Sequence, residues 1–410
     1  MKKLVVSFLL VFLSCGIFTS CINSNKNEES NKNSEIVEEN NKEEIIEVDH
    51  IKEKIDEMSL EEKIGQMLVV GFQGTEITAN LENLIKKNKV GGVILIGDNV
   101  TDVNGVIKLN NDIKKLNEEN DIPLLISVDE EGGSVSRVPG EFIEVPTSEF
   151  IGRLDSEEIS YNTGKVIGEQ IKALGFNMDY APVLDILSNP DNTVIGDRAY
   201  GNNADIVSRL GISTMNGLES EGVIPVVKHF PGHGDTYVDS HYGLPIVYKT
   251  LEELNSLEFI PFKDAIDSGA DAVMVSHIIL SNIDSENPAS LSKDIVKGIL
   301  RDNLGFNGVV VTDDMTMGAI VNNFDIGSSA IKAINAGVDI ILVCHDYEMQ
   351  IKVIEAIRNA VRTGEISEAI INESVYRVLT LKDKYKVNDN PISTEVNIDE
   401  INNKINNIFQ

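Results

Sequence analysis

From about residue 50 onward, short runs rich in valine and isoleucine alternate with longer segments in which apolar positions recur at helical spacing. The short runs are 68–72, 92–96, 124–129, 177–183, 225–230, 272–277, 308–313 and 340–345. Each is apolar along most of its length, as expected of strands buried on both faces of a parallel sheet. Amphipathic segments such as 156–174, 204–218 and 327–336 lie between them and read as helices. Eight strand–helix units predict an α/β fold, a (β/α)₈ barrel with a single catalytic domain. A doubly wound open sheet is the competing architecture. It is disfavoured because no glycine-rich nucleotide turn follows the first strand.

The first fifty residues follow a different pattern. Lys2 and Lys3 precede an apolar run from 4 to 18 that is short for a membrane span, and Thr19, Ser20 and Cys21 follow. This resembles a bacterial lipobox, with Cys21 as the lipidated residue; Cys15 is a competing site. The chain turns polar directly after Cys21, and the stretch to residue 49 is dominated by Asn, Glu, Ser and Lys. Such a stretch cannot bury enough apolar surface to offset the entropy of ordering, so it reads as a tether. The expected organisation is a lipoprotein signal peptide over 1–20, a disordered tether over 21–49, the barrel over 50–386 and a tail or final short helix over 387–410.

Composition narrows the picture. Of the 410 residues, 42% are hydrophobic and 25% charged, which excludes a mostly disordered chain and a polytopic membrane protein. With 35 basic and 66 acidic residues the net charge is −31. A surface this acidic repels phosphate backbones, and no basic patch follows residue 3, so nucleic acid is not an expected partner. Three cysteines cannot form a disulfide framework.

Polar residues gather where the predicted strands end: Asp129, Asp185, Lys228, His229, His277, Asp313 and His345. Chemistry in a barrel of this kind sits at the carboxyl ends of the strands. Of six histidines, His50 ends the tether. The other five (His229, His233, His241, His277 and His345) fall at strand ends or in the loop after the fifth strand. For His345 a hydrogen-bonded structural role is the simpler expectation.

The segment 228–245 is the densest. It carries Lys228, His229, Asp239 and His241 among three glycines and two prolines, an irregular loop able to close over a substrate. A carboxylate beside an imidazole fixes its tautomer and raises its pKa, which suits a proton shuttle near neutrality. The seventh strand ends in Thr312-Asp313-Asp314. A fixed carboxylate opposite a proton donor is the pairing retaining glycosidases use. Asp314 is expected to cap the following helix and Asp313 to react.

These motifs resemble glycoside hydrolase family 3, and within it the NagZ-type β-N-acetylglucosaminidases. The resemblance runs over about 50–386 and rests on 228–245, on Asp129-Glu130-Glu131-Gly132-Gly133 with Arg137, on Gly196-Asp197-Arg198 and on Thr312-Asp313. It implies that Asp313 is the nucleophile, that His241 is the general acid/base, and that Asp239 is the partner of His241. It further implies that Asp129, Arg137, Arg198, Lys228 and His229 hold the N-acetylglucosamine ring. No cofactor or metal is implied. The expected substrate is a terminal β-linked N-acetylglucosamine on a saccharide or muropeptide. The enzyme is expected to be a monomer, exported and lipid-anchored to the outer face of the cell membrane.

Two other functions fit parts of the pattern. The histidines and aspartates could serve a metal-dependent hydrolase on the same barrel, although no strand carries a His-x-His pair and Lys228 would oppose a cation. The leader and tether suit a non-enzymatic sugar-binding lipoprotein equally well, but binding alone needs no proton shuttle. Water and phosphate both remain open as acceptor.

Overall fold

The computed structural model describes residues 49–410; the leader, Cys15, Cys21 and the tether up to residue 48 lie outside the described residues. Eight strands make up the central sheet: β1 (Leu68–Gly71), β2 (Gly92–Ile94), β3 (Leu125–Val128), β4 (Met178–Asp179), β5 (Ile224–Phe230), β6 (Ala272–Val275), β7 (Val309–Thr312) and β8 (Ile341–Val343). Their order is β8-β1-β2-β3-β4-β5-β6-β7, and every pair is parallel. A bridge between Val311 and Ile340 joins the two outer strands, with Thr312 N donating to Ile340 O and Ile340 N to Val310 O, both at 3.0 Å. The sheet thus closes on itself as a (β/α)₈ barrel, and the open-sheet alternative falls away.

Strand periodicity sorts the core. On β1, Val69 points inward among Ile94, Leu125, Met178, Val226, Met274, Val311 and Leu342, while Leu68 and Val70 pack outward against the helical layer. Both faces are therefore apolar, which is why the strands read as continuous hydrophobic runs. Full burial of each such side chain contributes about 1.5–3 kcal/mol.

The helices follow their sequence signals. The segment expected over 156–174 forms Glu157–Leu174: Ser156 Oγ accepts from Ile159 N, and Gly175 ends it at φ +97°. The segment 327–336 forms Ile326–Ala336, capped by Asp325. The fourth strand is shorter than the 177–183 its apolar run suggests. Pro182 has no N–H to donate, and beyond it only the Val183–Lys228 bridge continues the pairing.

The amino-terminal end of the barrel is sealed. Two short helices, His50–Glu57 and Leu60–Gln66, precede β1. There Lys382 donates to Gln66 Oε1, Gly91 O and Pro123 O at 2.7–2.8 Å, and burial lowers its pKa to about 7. Residues beyond 385 also dock on the barrel. Ile392 N donates to Asn111 Oδ1, and helix Ile398–Ile408 buries Ile401 and Ile405. The open end, where the strands finish, holds the chemistry.

Candidate active site

At the carboxyl ends of the strands lies a cavity of about 330 Å³ whose lining includes Asp129, Arg137, Arg198, Lys228, His229, His241 and Asp313. Lys228 and His229 lie on β5, Asp129 and Asp313 directly follow β3 and β7, and Arg137, Arg198 and His241 come from the loops beyond the strands. Lys228 and His229 are consecutive and on a regular strand would face opposite ways. The register between β5 and β6 slips between Val227 and Phe230, and both side chains reach the cavity.

One wall is a network of buried charge. Lys228 Nζ lies 2.6 Å from Asp129 Oδ1 and 2.6 Å from Glu131 Oε1. Arg198 grips the same Glu131 with two bonds, Nε to Oε2 and Nη2 to Oε1, both 2.7 Å. Burial alone would push the Glu131 carboxyl up, but the Lys228 and Arg198 charges hold it well below the usual carboxylate range. Burial disfavours the Lys228 ammonium, and Asp129 and Glu131 outweigh it, so its pKa is raised. Arg137, half-buried on the loop after β3, donates to Ser136 O and has no carboxylate partner among the described residues. Its charge is thus available to a ligand.

Beneath this wall, Asp185 Oδ2 lies 2.6 Å from His229 Nδ1, and its Oδ1 accepts from His233 N at 2.6 Å. Burial opposes ionisation of Asp185, yet the His229 charge and hydrogen bond, with help from His233, keep its pKa low. The opposite ring nitrogen, His229 Nε2, faces Arg198 Nη2 at 3.3 Å. His233 is itself buried, which lowers its pKa to about 4. It ties Thr236 and Ser240 of the loop together as a neutral ring.

Across the cavity stands Asp313, half-buried, its backbone N bonded to Val275 O and its Oδ1 accepting from Asp314 N at 2.9 Å. Burial would raise its pKa. His277, His229, the Asp314 N–H and His241 outweigh that, and the carboxyl stays below its ordinary range. An ionised carboxylate near neutrality is what a nucleophile requires. His277 is wholly buried behind it, between Ser290 Oγ and Asp314 O, and burial lowers its pKa. Asp314 does not cap the next helix. Its carboxylate accepts from Thr316 N and Thr316 Oγ1 and from Cys344 N, so it joins the end of β7 to the end of β8. His345 lines the cavity, half-exposed, 3.9 Å from Asp314 Oδ2.

The loop after β5 brings His241 to the cavity edge. His241 Nδ1 lies 2.7 Å from Asp239 Oδ1, which also accepts from His241 N. Burial opposes ionisation of Asp239, but these two bonds win and hold its pKa low. The Nδ1 nitrogen is thereby committed to the carboxylate, leaving Nε2 for a ligand. Gly318 N donates to His241 O and Ala319 N to Ser240 O, pinning the loop to the segment after β7. A Cβ on Gly318 would sit 2.6 Å from His241 O, so that close approach requires glycine.

Of the eight functional residues named from sequence, seven line this one cavity, and Asp239 reaches it through His241. Glu131 and Asp185 were not among them. Glu131 couples two of the cations, Lys228 and Arg198, and nothing in its local sequence marks it for that part. Among the described residues, no group of three or more His, Cys, Asp or Glu side chains is arranged to hold a metal ion.

The sequence from 59 to 381 matches the model of the glycosyl hydrolase family 3 N terminal domain. The chain belongs to glycosyl hydrolase family 3. That membership places it among glycoside hydrolases and fits the carboxylate and imidazole at the mouth of this family 3 barrel. Beta-hexosaminidase A of Pseudoalteromonas piscicida is 31% identical over 338 residues, 76% of this chain. The match spans 56% of that relative's length. The Beta-hexosaminidase of Methylobacillus flagellatus is 34% identical over 66% of this chain and 78% of its own. Among solved structures, a family 3 beta-N-acetylglucosaminidase from a Paenibacillus species superimposes with a TM-score of 0.82. It is 40% identical and covers 86% of this chain and 68% of that one. The beta-N-acetylhexosaminidase of Beutenbergia cavernae gives 0.74 at 30% identity, over 80% and 99% of the two chains.

Proposed function

We propose that this chain is a retaining exo-β-N-acetylglucosaminidase of the NagZ type that removes terminal β-linked N-acetylglucosamine from peptidoglycan or muropeptide fragments. One observation carries the reading. An ionised carboxylate, Asp313, shares a cavity with an imidazole, His241, whose Nδ1 is committed to Asp239 at 2.7 Å.

The chemistry runs in two displacements. An Asp313 oxygen attacks the anomeric carbon while protonated His241 Nε2 gives its proton to the departing glycosidic oxygen. The sugar is left as an ester on Asp313. Neutral His241 then takes a proton from water, whose oxygen attacks the anomeric carbon and frees the Asp313 carboxylate. Asp239 holds the ring orientation and stabilises its cationic form. Arg137, with no carboxylate partner among the described residues, and the Lys228–Asp129 pair offer ionic hydrogen bonds to the hydroxyls of the bound ring, with Arg198 and His229 beside them.

The same names, hexosaminidase and N-acetylglucosaminidase, on the relatives support the sugar. The export signal and the lipobox at Cys21 support a cell-wall substrate met at the outer face of the membrane. The test is a product assay on defined muropeptides with and without phosphate. Release of free N-acetylglucosamine supports the reading. N-acetylglucosamine 1-phosphate would make the enzyme a phosphorylase, and no release from any muropeptide would sink the substrate assignment.

A further inference from the structure

Among the described residues ten large hydrophobic side chains are exposed, and six of them lie between 237 and 251. Tyr237 is 81% exposed and Tyr242 82% exposed. Tyrosine rings usually bury their apolar body and wet only the hydroxyl, so two rings this bare on one loop call for an occupant. The pair brackets the Asp239–His241 couple in sequence, and the two limbs touch: a Cβ built on Gly243 would lie 3.2 Å from Val238 Cγ1.

The loop under them is held in place. At its base Lys249 bridges Asp235 and Glu258. In the middle, Ser240 O and His241 O accept from Ala319 N and Gly318 N. Beyond it, Ile246–Val247 pairs with Ile279–Leu280, and Ile279 N donates to Pro245 O. A backbone fastened at three places holds the exposed rings as a rim flanking the Asp239–His241 couple in the chain; neither ring is part of the cavity lining itself.

Position decides what the rim faces. A general acid must lie within hydrogen-bond reach of the glycosidic oxygen. Whatever is bonded to the far side of that oxygen therefore leaves the cavity beside His241, where Tyr242 is the next residue. A pyranose ring has apolar C–H faces that stack on an aromatic ring and hydroxyls that meet a phenol.

We propose that Tyr237 and Tyr242 form an aglycone subsite that stacks the sugar ring following the scissile bond, on the leaving-group side, making them specificity-determining residues. This rests on the role proposed for His241. It makes the enzyme selective for β-linked oligosaccharides over glycosides with small alkyl aglycones of similar leaving ability.

The experiment compares kcat/KM on a β-1,4-linked N-acetylhexosamine disaccharide with that on methyl β-N-acetylglucosaminide, for the full chain and for Tyr237→Ala, Tyr242→Ala and Tyr242→Phe. Each alanine variant is expected to lower the disaccharide-to-methyl ratio by about tenfold, the scale of one lost stacked ring, while Tyr242→Phe keeps most of it. Equal losses on both substrates would overturn the proposal and assign the rings to support of the loop. Unchanged kcat/KM on both substrates would overturn it outright. If the unaltered enzyme cleaves neither substrate, the proposed function fails and takes the subsite with it; cleavage of both with unchanged ratios removes the subsite alone.

Discussion

Lys228 Nζ and Glu131 Oε1 meet at 2.6 Å at the barrel mouth, each side chain only 2% exposed. Two full charges so desolvated persist because each has further partners: Asp129 for the lysine, Arg198 for the glutamate. Removing one partner of such a pair leaves an uncompensated buried charge.

Glu131→Gln keeps the shape and deletes the charge that two cations share. The expected cost is about 3–5 kcal/mol of stability, the range for breaking a buried pair, with a raised KM because Lys228 and Arg198 lose their fixed positions. Denaturant unfolding and steady-state kinetics on the same preparation check both. Wild-type stability in this variant would contradict the network described here.

His241→Ala removes the proton donor but leaves the nucleophile. Turnover of glycosides with poor leaving groups is expected to fall by about 10²–10⁴-fold, the ordinary worth of general acid catalysis, while activated aryl glycosides suffer much less in the first displacement. A series of aryl glycosides graded by leaving-group pKa supplies the measurement. Equal losses across the series would remove His241 from the acid role.

Glu130 gives a pH signature of its own. Its Oε2 accepts from Ser136 Oγ, Arg137 N and Val138 N, so it organises the loop that carries Arg137. Burial outweighs those bonds and raises its pKa from 4.5 to about 7. Asp179 lies below it, accepting from Glu130 N at 2.9 Å, and burial raises that carboxyl as well. The folded state therefore binds the Glu130 proton more tightly than the unfolded state. This contribution is complete below pH 4.5 and is lost as pH rises to about 7, on the order of 3 kcal/mol. Glu130→Gln abolishes the dependence, so its stability relative to wild type should grow across that window. Parallel stability curves for the two proteins would refute the assignment.

Much of this was legible in the chain because parallel barrel strands leave a continuous apolar mark. All eight runs hold a barrel strand, and the fourth is shortened the most, to Met178–Asp179. The cavity residues were legible because histidine, lysine and aspartate at strand ends have few other reasons to be there. What escaped was pairing. Nothing local distinguishes Glu131, which binds Lys228 and Arg198 across 97 and 67 residues of chain, from a solvated acid. Asp314 was expected at a helix start because a cap is the nearest use for an acid there. Its bond to Cys344 N depends on β8 lying alongside β7. The short ladder of Ile246–Val247 with Ile279–Leu280 has too few residues to show a period.

If Cys21 carries the proposed lipid anchor, Cys21→Ala releases the protein from membranes. Fractionation of cells expressing each form gives the answer. Retention of the variant would move the anchor to Cys15 or to an uncleaved leader.

The most direct measurement is covalent trapping. A slow, activated fluorinated N-acetylglucosamine analogue should add one sugar mass to the intact protein, and peptide mapping should place it on Asp313. A label on any other side chain, or no label while the analogue is still turned over, would contradict the two-displacement account.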